Sequence, residues 1–180
     1  TILYGRSVEL ADNLTVINNS LQNVSANLDH DNALQLACET ATTIADAEYA
    51  AIFLQNTQDD RPAYLAHCTG FTPAHCAELE KTEYLPDIYD EDTILISDVR
   101  VRDADDPIRQ AVEAVGCRSM MQVPLKSSIV AIGVLRIYFK EAHILDDMQV
   151  QLLESLAYQM TAALDNAELM KALEVYASEQ

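Results

Sequence analysis

Three hydrophobic periodicities succeed one another along the chain. Leu10, Leu14, Ile17, Leu21, Val24 and Leu28 recur in steps of four, three, four, three and four, with polar residues between. That spacing predicts a helix with a heptad seam over residues 1–29. A lone seam cannot bury itself, so it must pack on the body, on the C-terminal helix, or on a second copy. Leu34, Ala37, Cys38, Ala41, Ile44 and Ala45 give a second helix one apolar face, with Asp29 or Asp31 as its cap. The period then changes to two. Tyr49 to Gln55 reads as a strand, Asn56 to Pro62 as a polar turn, and Ala63 to Thr69 as the partner strand, ended by Gly70.

Thr72-Pro73 predicts a capped start for a short helix carrying His75, Cys76 and Leu79. Lys81 to Thr93 is acidic and irregular, Thr93 to Val99 a strand, and Asp106-Pro107 to Gly116 a helix with a start and stop of the expected asymmetry. Arg118 to Phe139 reads as a hairpin about Ser127-Ser128. Alternation puts Ser119, Met121, Val123 and Leu125 on one face of its first strand. In its second strand Ile132, Val134, Arg136 and Tyr138 share one face, and Ala131, Gly133, Leu135, Ile137 and Phe139 the other. Both faces are mostly apolar, which predicts a central strand covered above and below. Pro124 cannot donate to a ladder and should meet a bulge or an edge. Gly133 leaves room for a close approach.

Asp146 with Gln149 forms a capping-box pattern. The helix that follows is expected to reach Tyr176, about 45 Å at 1.5 Å per residue. Leu153, Leu156, Met160, Ala163, Ala167 and Met170 repeat along it at three and four. The order of elements predicts an α+β fold: a three-layer α/β/α arrangement, with a central antiparallel sheet of about five or six strands between helices and long N- and C-terminal helices. The expected division is a dimerisation helix over 1–29, a domain over 30–160, and the end of the C-terminal signalling helix over 161–180.

Composition narrows the function classes. Length 180 and a hydrophobic content of 49% suffice for one domain with its own core. A formal net charge of −18 repels nucleic acid and anionic membranes, so neither is an expected partner. No apolar run reaches membrane-spanning length and no signal peptide is visible, which places the chain in the cytoplasm. It opens at Thr1 without Met and closes inside a helical pattern, so a larger parent protein is expected. Cys38, Cys68, Cys76 and Cys117 lack Cys-x-x-Cys spacing and read as reduced thiols.

Candidate chemistry is sparse. His67-Cys68 and His75-Cys76 offer four metal-ligand types, but neighbours on a strand face opposite ways and neighbours on a helix diverge, so no metal site is expected. The acidic clusters at Asp87, Asp90, Glu91 and Asp92 and at Asp103, Asp105 and Asp106 lack calcium-loop order. No phosphate-cradling or hydrolase motif is present, and with 4 glycines no cofactor signature is evident.

One resemblance stands out. Arg118-Ser119-Met120-Met121-Gln122-Val123-Pro124-Leu125 followed by Ala131-Ile132-Gly133-Val134-Leu135 resembles the closing hairpin of GAF domains. Ile96-Ser97-Asp98-Val99 upstream, and Leu156 to Met160 with Asp165-Asn166-Ala167 downstream, fit the same pattern, so the likeness covers roughly residues 30 to 170. It implies a bacterial-type sensory, non-catalytic module. Such a module holds a small molecule or a partner surface beside the sheet and signals through paired terminal helices, as a homodimer, to an output domain of the same longer chain. Carried onto this sequence, the implied ligand residues are Phe53, His67, Asp98, Arg118, Ser119, Met121, Arg136 and Tyr138. The implied dimer helices carry Leu10, Leu14, Ile17, Leu21, Val24, Leu156, Met160, Ala163 and Ala167. The ligand's identity is not implied: the Asn-Lys, Phe and Asp-Glu set of cyclic-nucleotide members is absent, and the helix Ile108 to Val115 lacks the Cys-His of bilin-binding members. Two alternatives share the fold. One is a thiol enzyme resembling free methionine sulfoxide reductases, using Cys117 with Cys68 or Cys76; the other is a dimer spacer without ligand.

Overall fold

A computed structural model describes residues 30–55, 63–81, 92–126 and 131–179. Five antiparallel strands form one sheet in the order β2-β1-β5-β4-β3. They are β1 Tyr49–Leu54, β2 Tyr64–Thr69, β3 Ile94–Ile96, β4 Ser119–Lys126 and β5 Ala131–Phe139. The helices are α1 His30–Ala45, α2 Pro73–Glu80, α3 Pro107–Ala114 and α4 Asp147–Ser178. The expected seam at Leu10, Leu14, Ile17, Leu21 and Val24 lies outside the described residues, as do the Asp29 cap and the turns at 56–62 and 127–130.

The sheet has helices on both faces, and each face has its own core. On the first, α1 and α4 bury Leu34, Ala37, Cys38, Ala41, Leu153, Leu156 and Met160 against Ile52, Met121, Val123, Leu135 and Ile137. On the second, Leu79 of α2 and Val112 of α3 pack with Phe53, Met120, Val134 and Tyr138. β5 is the central strand, as its doubly apolar pattern requires.

Local chemistry fixes the element ends. The Thr72 side chain accepts from the His75 N–H (3.2 Å), with Pro73 in the first turn of α2. Asp106 accepts from Ile108 N–H (2.8 Å) ahead of Pro107, and Gly116 leaves α3 at φ +73°. Asp146 and Gln149 make the reciprocal capping box of α4. Such caps satisfy backbone donors that the first helical turn leaves free, each contributing about 1 kcal/mol. A Cβ on Gly133 would fall onto the Phe53 carbonyl oxygen, so β1 and β5 come together only because that position is glycine.

Two expectations are corrected, the extent of β3 and the face of Ile132, while Pro124 meets the edge and bulge expected of it. The strand expected over Thr93 to Val99 is only Ile94–Ile96, because Asp98 caps a 3-10 turn at Val99–Val101. Pro124 pairs in register with Val134, and on its other side it lies beyond β3, whose ladder stops at Gln122. The register between β4 and β5 slips next to it: Leu125 pairs with Gly133 and Lys126 with Ala131, leaving Ile132 unmatched. The extra residue breaks the alternation, so Ile132 packs towards the first core and not with Val134, Arg136 and Tyr138.

Candidate functional site

The second face carries the polarity. Register places one row across the sheet: Cys68 on β2, Ala51 on β1, Arg136 on β5, Gln122 on β4 and Ile94 on β3. Rows of large apolar residues flank it, Phe53 with Val134 on one side and Tyr138 with Met120 on the other. Arg136 keeps only 3% of its surface exposed and Gln122 only 1%. Arg136 Nε donates to Gln122 Oε1 at 2.6 Å, and its guanidinium carbon lies 5.3 Å from the centre of the Phe53 ring. The Tyr138 hydroxyl is its other neighbour. Burial pushes the Tyr138 pKa up, opposed by the charge of Arg136 and a hydrogen bond from it, so the phenol stays neutral. Phe71 meets Tyr138 edge-on (5.3 Å) and stacks on Tyr49 (4.8 Å).

A guanidinium cannot shed its proton to escape burial, and an ion taken out of water costs several kcal/mol unless a counter-charge is near. Among the described residues, no carboxylate pairs with Arg136. Its partners are a neutral amide, a neutral phenol and an aromatic face.

The structure therefore brings together Phe53, Arg136 and Tyr138 of the residues that the resemblance implied. Asp98 and Arg118 join in a pair of their own, with Arg118 Nη2 2.9 Å and Nε 3.2 Å from the two carboxylate oxygens. Asp98 also accepts from the Arg100 N–H (3.0 Å), so this pair ties the 3-10 turn to the start of β4. Ser119 donates to the Glu141 carbonyl (2.7 Å) and holds the chain leaving β5. His67 pairs in register with Ile52, a first-core residue, and Met121 belongs to that core too, because a strand's alternate residues face opposite ways. Met121 also lines a groove of about 240 Å³ with Leu95, Phe139 and His143, the last two rings stacked at 4.3 Å.

Gln122 was missed, although it lies opposite Arg136 in the hairpin and alternates out of phase with Met121 and Val123. Tyr49 and Phe71 were also missed, since nothing local in their sequence marks a shared face.

The surroundings of Cys38, Cys68 and Cys117 hold these thiols protonated. Cys38 and Cys117 are buried, and all four cysteines are free. Burial pushes the Cys38 thiol up to about 12 and Cys117 to about 11. Burial and the neighbouring Cys76 push Cys68 up to about 12. Nucleophilic chemistry requires a lowered thiol pKa. Among the described residues, no three His, Cys, Asp or Glu side chains converge as metal ligands.

On α4, Leu156 and Met160 are fully buried in the first core and Ala163 is 7% exposed. The chain's own sheet and α1 cover Leu156 and Met160. α4 exposes Met148 and Tyr158 along the body, and Leu169, Met170, Leu173, Val175 and Tyr176 further out. No helix among the described residues is long and apolar enough to cross a membrane.

The family model described as GAF domain matches residues 27–165. No curated protein matches the sequence. Among solved structures, the chain is similar to the GAF domain of a phosphoenolpyruvate-protein phosphotransferase from Acinetobacter, with TM-score 0.69 and 15% identity over 88% of this chain and 94% of that one. It is also similar to a domain of a two-component sensor histidine kinase protein from Sinorhizobium meliloti, with TM-score 0.68 and 12% identity over 78% and 94%. A third likeness is to a GAF domain in its photoproduct state from Synechocystis, with TM-score 0.68 and 14% identity over 81% and 99%. At these identities the likeness is one of fold.

Proposed function

The chain belongs to the GAF domain family, and on that premise we propose that it is a sensory module. A small molecule docks on the second face of the sheet, around Arg136, Gln122, Tyr138 and Phe53. Its presence is passed through the sheet to α4 and on to an output domain of a longer polypeptide. The observation that carries this reading is the buried polar group itself: a charged side chain lies in a layer that apolar packing alone would fill. A homodimer formed through the outer part of α4 and the heptad seam of residues 1–29 completes the signalling unit. The exposed Leu169, Leu173 and Tyr176 support it, recurring at four and three on the helix that leaves the body. The raised thiols count against the reductase alternative.

Native and denaturing mass spectra of the protein, purified without added ligand, test the reading. A mass above that of the chain, lost on denaturation, is expected. A clean chain mass, together with a melting temperature that the dialysable fraction of a cell extract does not move, leaves the spacer alternative in its place. Light scattering tests the dimer: twice the chain mass is expected, and a monomer at high concentration ends the paired-helix part of the proposal.

A further inference from the structure

The second face also restricts the chemistry of what binds there. Arg136 is a fixed positive charge at 3% exposure. Of the five N–H groups of a guanidinium, Nε–H goes to Gln122 Oε1 and the Tyr138 hydroxyl takes another. The described residues give the others no acceptor and the charge no carboxylate. Half-buried ionic side chains among the described residues have their counterparts: Asp98 with Arg118 at 2.9 Å, Asp106 with Arg102 at 2.8 Å, Arg109 with Glu113 at 2.9 Å. Those pairs are more exposed than Arg136, so among the described residues the most buried arginine lacks a carboxylate partner.

Gln122 positions the group. By taking Nε–H on one edge, and with the Phe53 ring set against the guanidinium, it orients the plane and leaves Nη1 and Nη2 to act as a fork. A fork of that shape matches the two oxygens of a carboxylate or phosphate. Ala51, the residue paired to Arg136 on its other side, is the smallest side chain of the row and adds no bulk next to that fork. The flanking Phe53, Val134, Met120 and Tyr138 are suited to an apolar or flat remainder of a ligand.

We infer that the small molecule sensed here bears an oxyanion, carboxylate or phosphate, and that it docks on Arg136 with Gln122 as the positioning residue. The inference rests on the small-molecule reading above and specifies its ligand class. The low count of basic residues, 11 against 29 acidic, makes one buried cation a selective device: the surface repels anions in general, and the interior admits those that fit.

The test uses full-length protein stripped of ligand by unfolding and refolding, then melted with inorganic phosphate, succinate, or succinamide (the neutral match of succinate) at constant ionic strength. Phosphate or succinate is expected to raise the melting temperature by roughly 5–10 °C at a hundred times Kd. Succinamide is expected to leave it unchanged, Arg136→Met to abolish the response, and Arg136→Lys to keep a reduced one. Ligand-free Arg136→Met is expected to melt at or above wild type, because it buries no charge. Equal responses to succinate and succinamide, or equal responses in wild type and Arg136→Met, overturn the oxyanion inference and leave the small-molecule reading standing. No response to either anion, or a ligand-free Arg136→Met protein that melts well below wild type, also overturns it, the latter by showing that the guanidinium has its counter-charge within the chain. Failure of the broader reading shows separately, in the mass spectra.

Discussion

The two faces of one sheet are built to different rules. The first, under α1 and α4, is a continuous apolar layer in which Ala37, Cys38, Ala41, Leu135, Leu153 and Met160 are fully buried. The second, under α2 and α3, has large apolar residues at its rim and a row through Arg136 and Gln122 across its middle. Both are made by the same strands, residue by alternate residue. The lesson is that stability and recognition are separated here by parity: Leu135 and Ile137 serve the first face while Val134, Arg136 and Tyr138 serve the second.

The contrast can be broken most severely from the first face. Leu156→Ala opens a cavity in the packed layer and is expected to cost about 2–5 kcal/mol, read as a lower urea midpoint, with any response to added anion retained. A loss under 1 kcal/mol would show that this layer is not the main store of stability. On the second face, Gln122→Leu takes the acceptor from Arg136 Nε and is expected to cost about 1–3 kcal/mol. Gln122→Glu in contrast supplies a counter-charge from within and is expected to preserve folding while ending the anion response. An unchanged anion response in Gln122→Glu would contradict the division drawn here.

Alkali sharpens the comparison through Cys38, the first face's buried thiol. Its folded pKa of about 12 lies above the unfolded 9.0. Below pH 9 both states are protonated and the group is neutral in its effect. As the pH climbs from 9 towards 12 the unfolded chain loses its proton first, so stability falls. The loss from this thiol is about 2 kcal/mol by a pH near 10.5, and Cys38→Ala should flatten the slope of the urea midpoint against pH. A slope unchanged by that substitution would place the alkaline loss elsewhere. The smallest effect is expected from Thr72→Ala, about 1 kcal/mol from the cap of α2. Hydrogen exchange should show it as faster opening of α2 with α1 unaffected.

Much of this architecture is legible in the chain. The caps at Thr72, Asp106 and Asp146 are local chemistry, each written within one turn of sequence, and they set the helix starts. Gly133 signals a close approach because no other residue tolerates one. The candidate site was less legible, for a physical reason. Alternation tells which residues of a strand share a face but not which layer covers it, so Met121 and Ser119 were grouped with Phe53 although they face the other way. The single unmatched residue at Ile132 shifts parity without any local mark. Gln122 gains its role only from the cross-strand register that sets it beside Arg136. Leu156 and Met160 have the spacing of a coiled-coil seam, and the same spacing also serves a helix lying on its own sheet, which is where they are.

The length of α4 has a mechanical consequence. Its first half is clamped between α1 and the sheet down to Leu164, and the stretch from Asp165 to Ser178 continues the same rod with no break. An α-helix is stiff over such a span, and 14 residues project about 20 Å. A tilt of about 10° at the clamp therefore carries the tip about 3–4 Å sideways. The clamped stretch from Asp147 to Leu164, about 27 Å long, sets the direction of the whole rod, so a small change of tilt in the body is carried unbent out to Ser178.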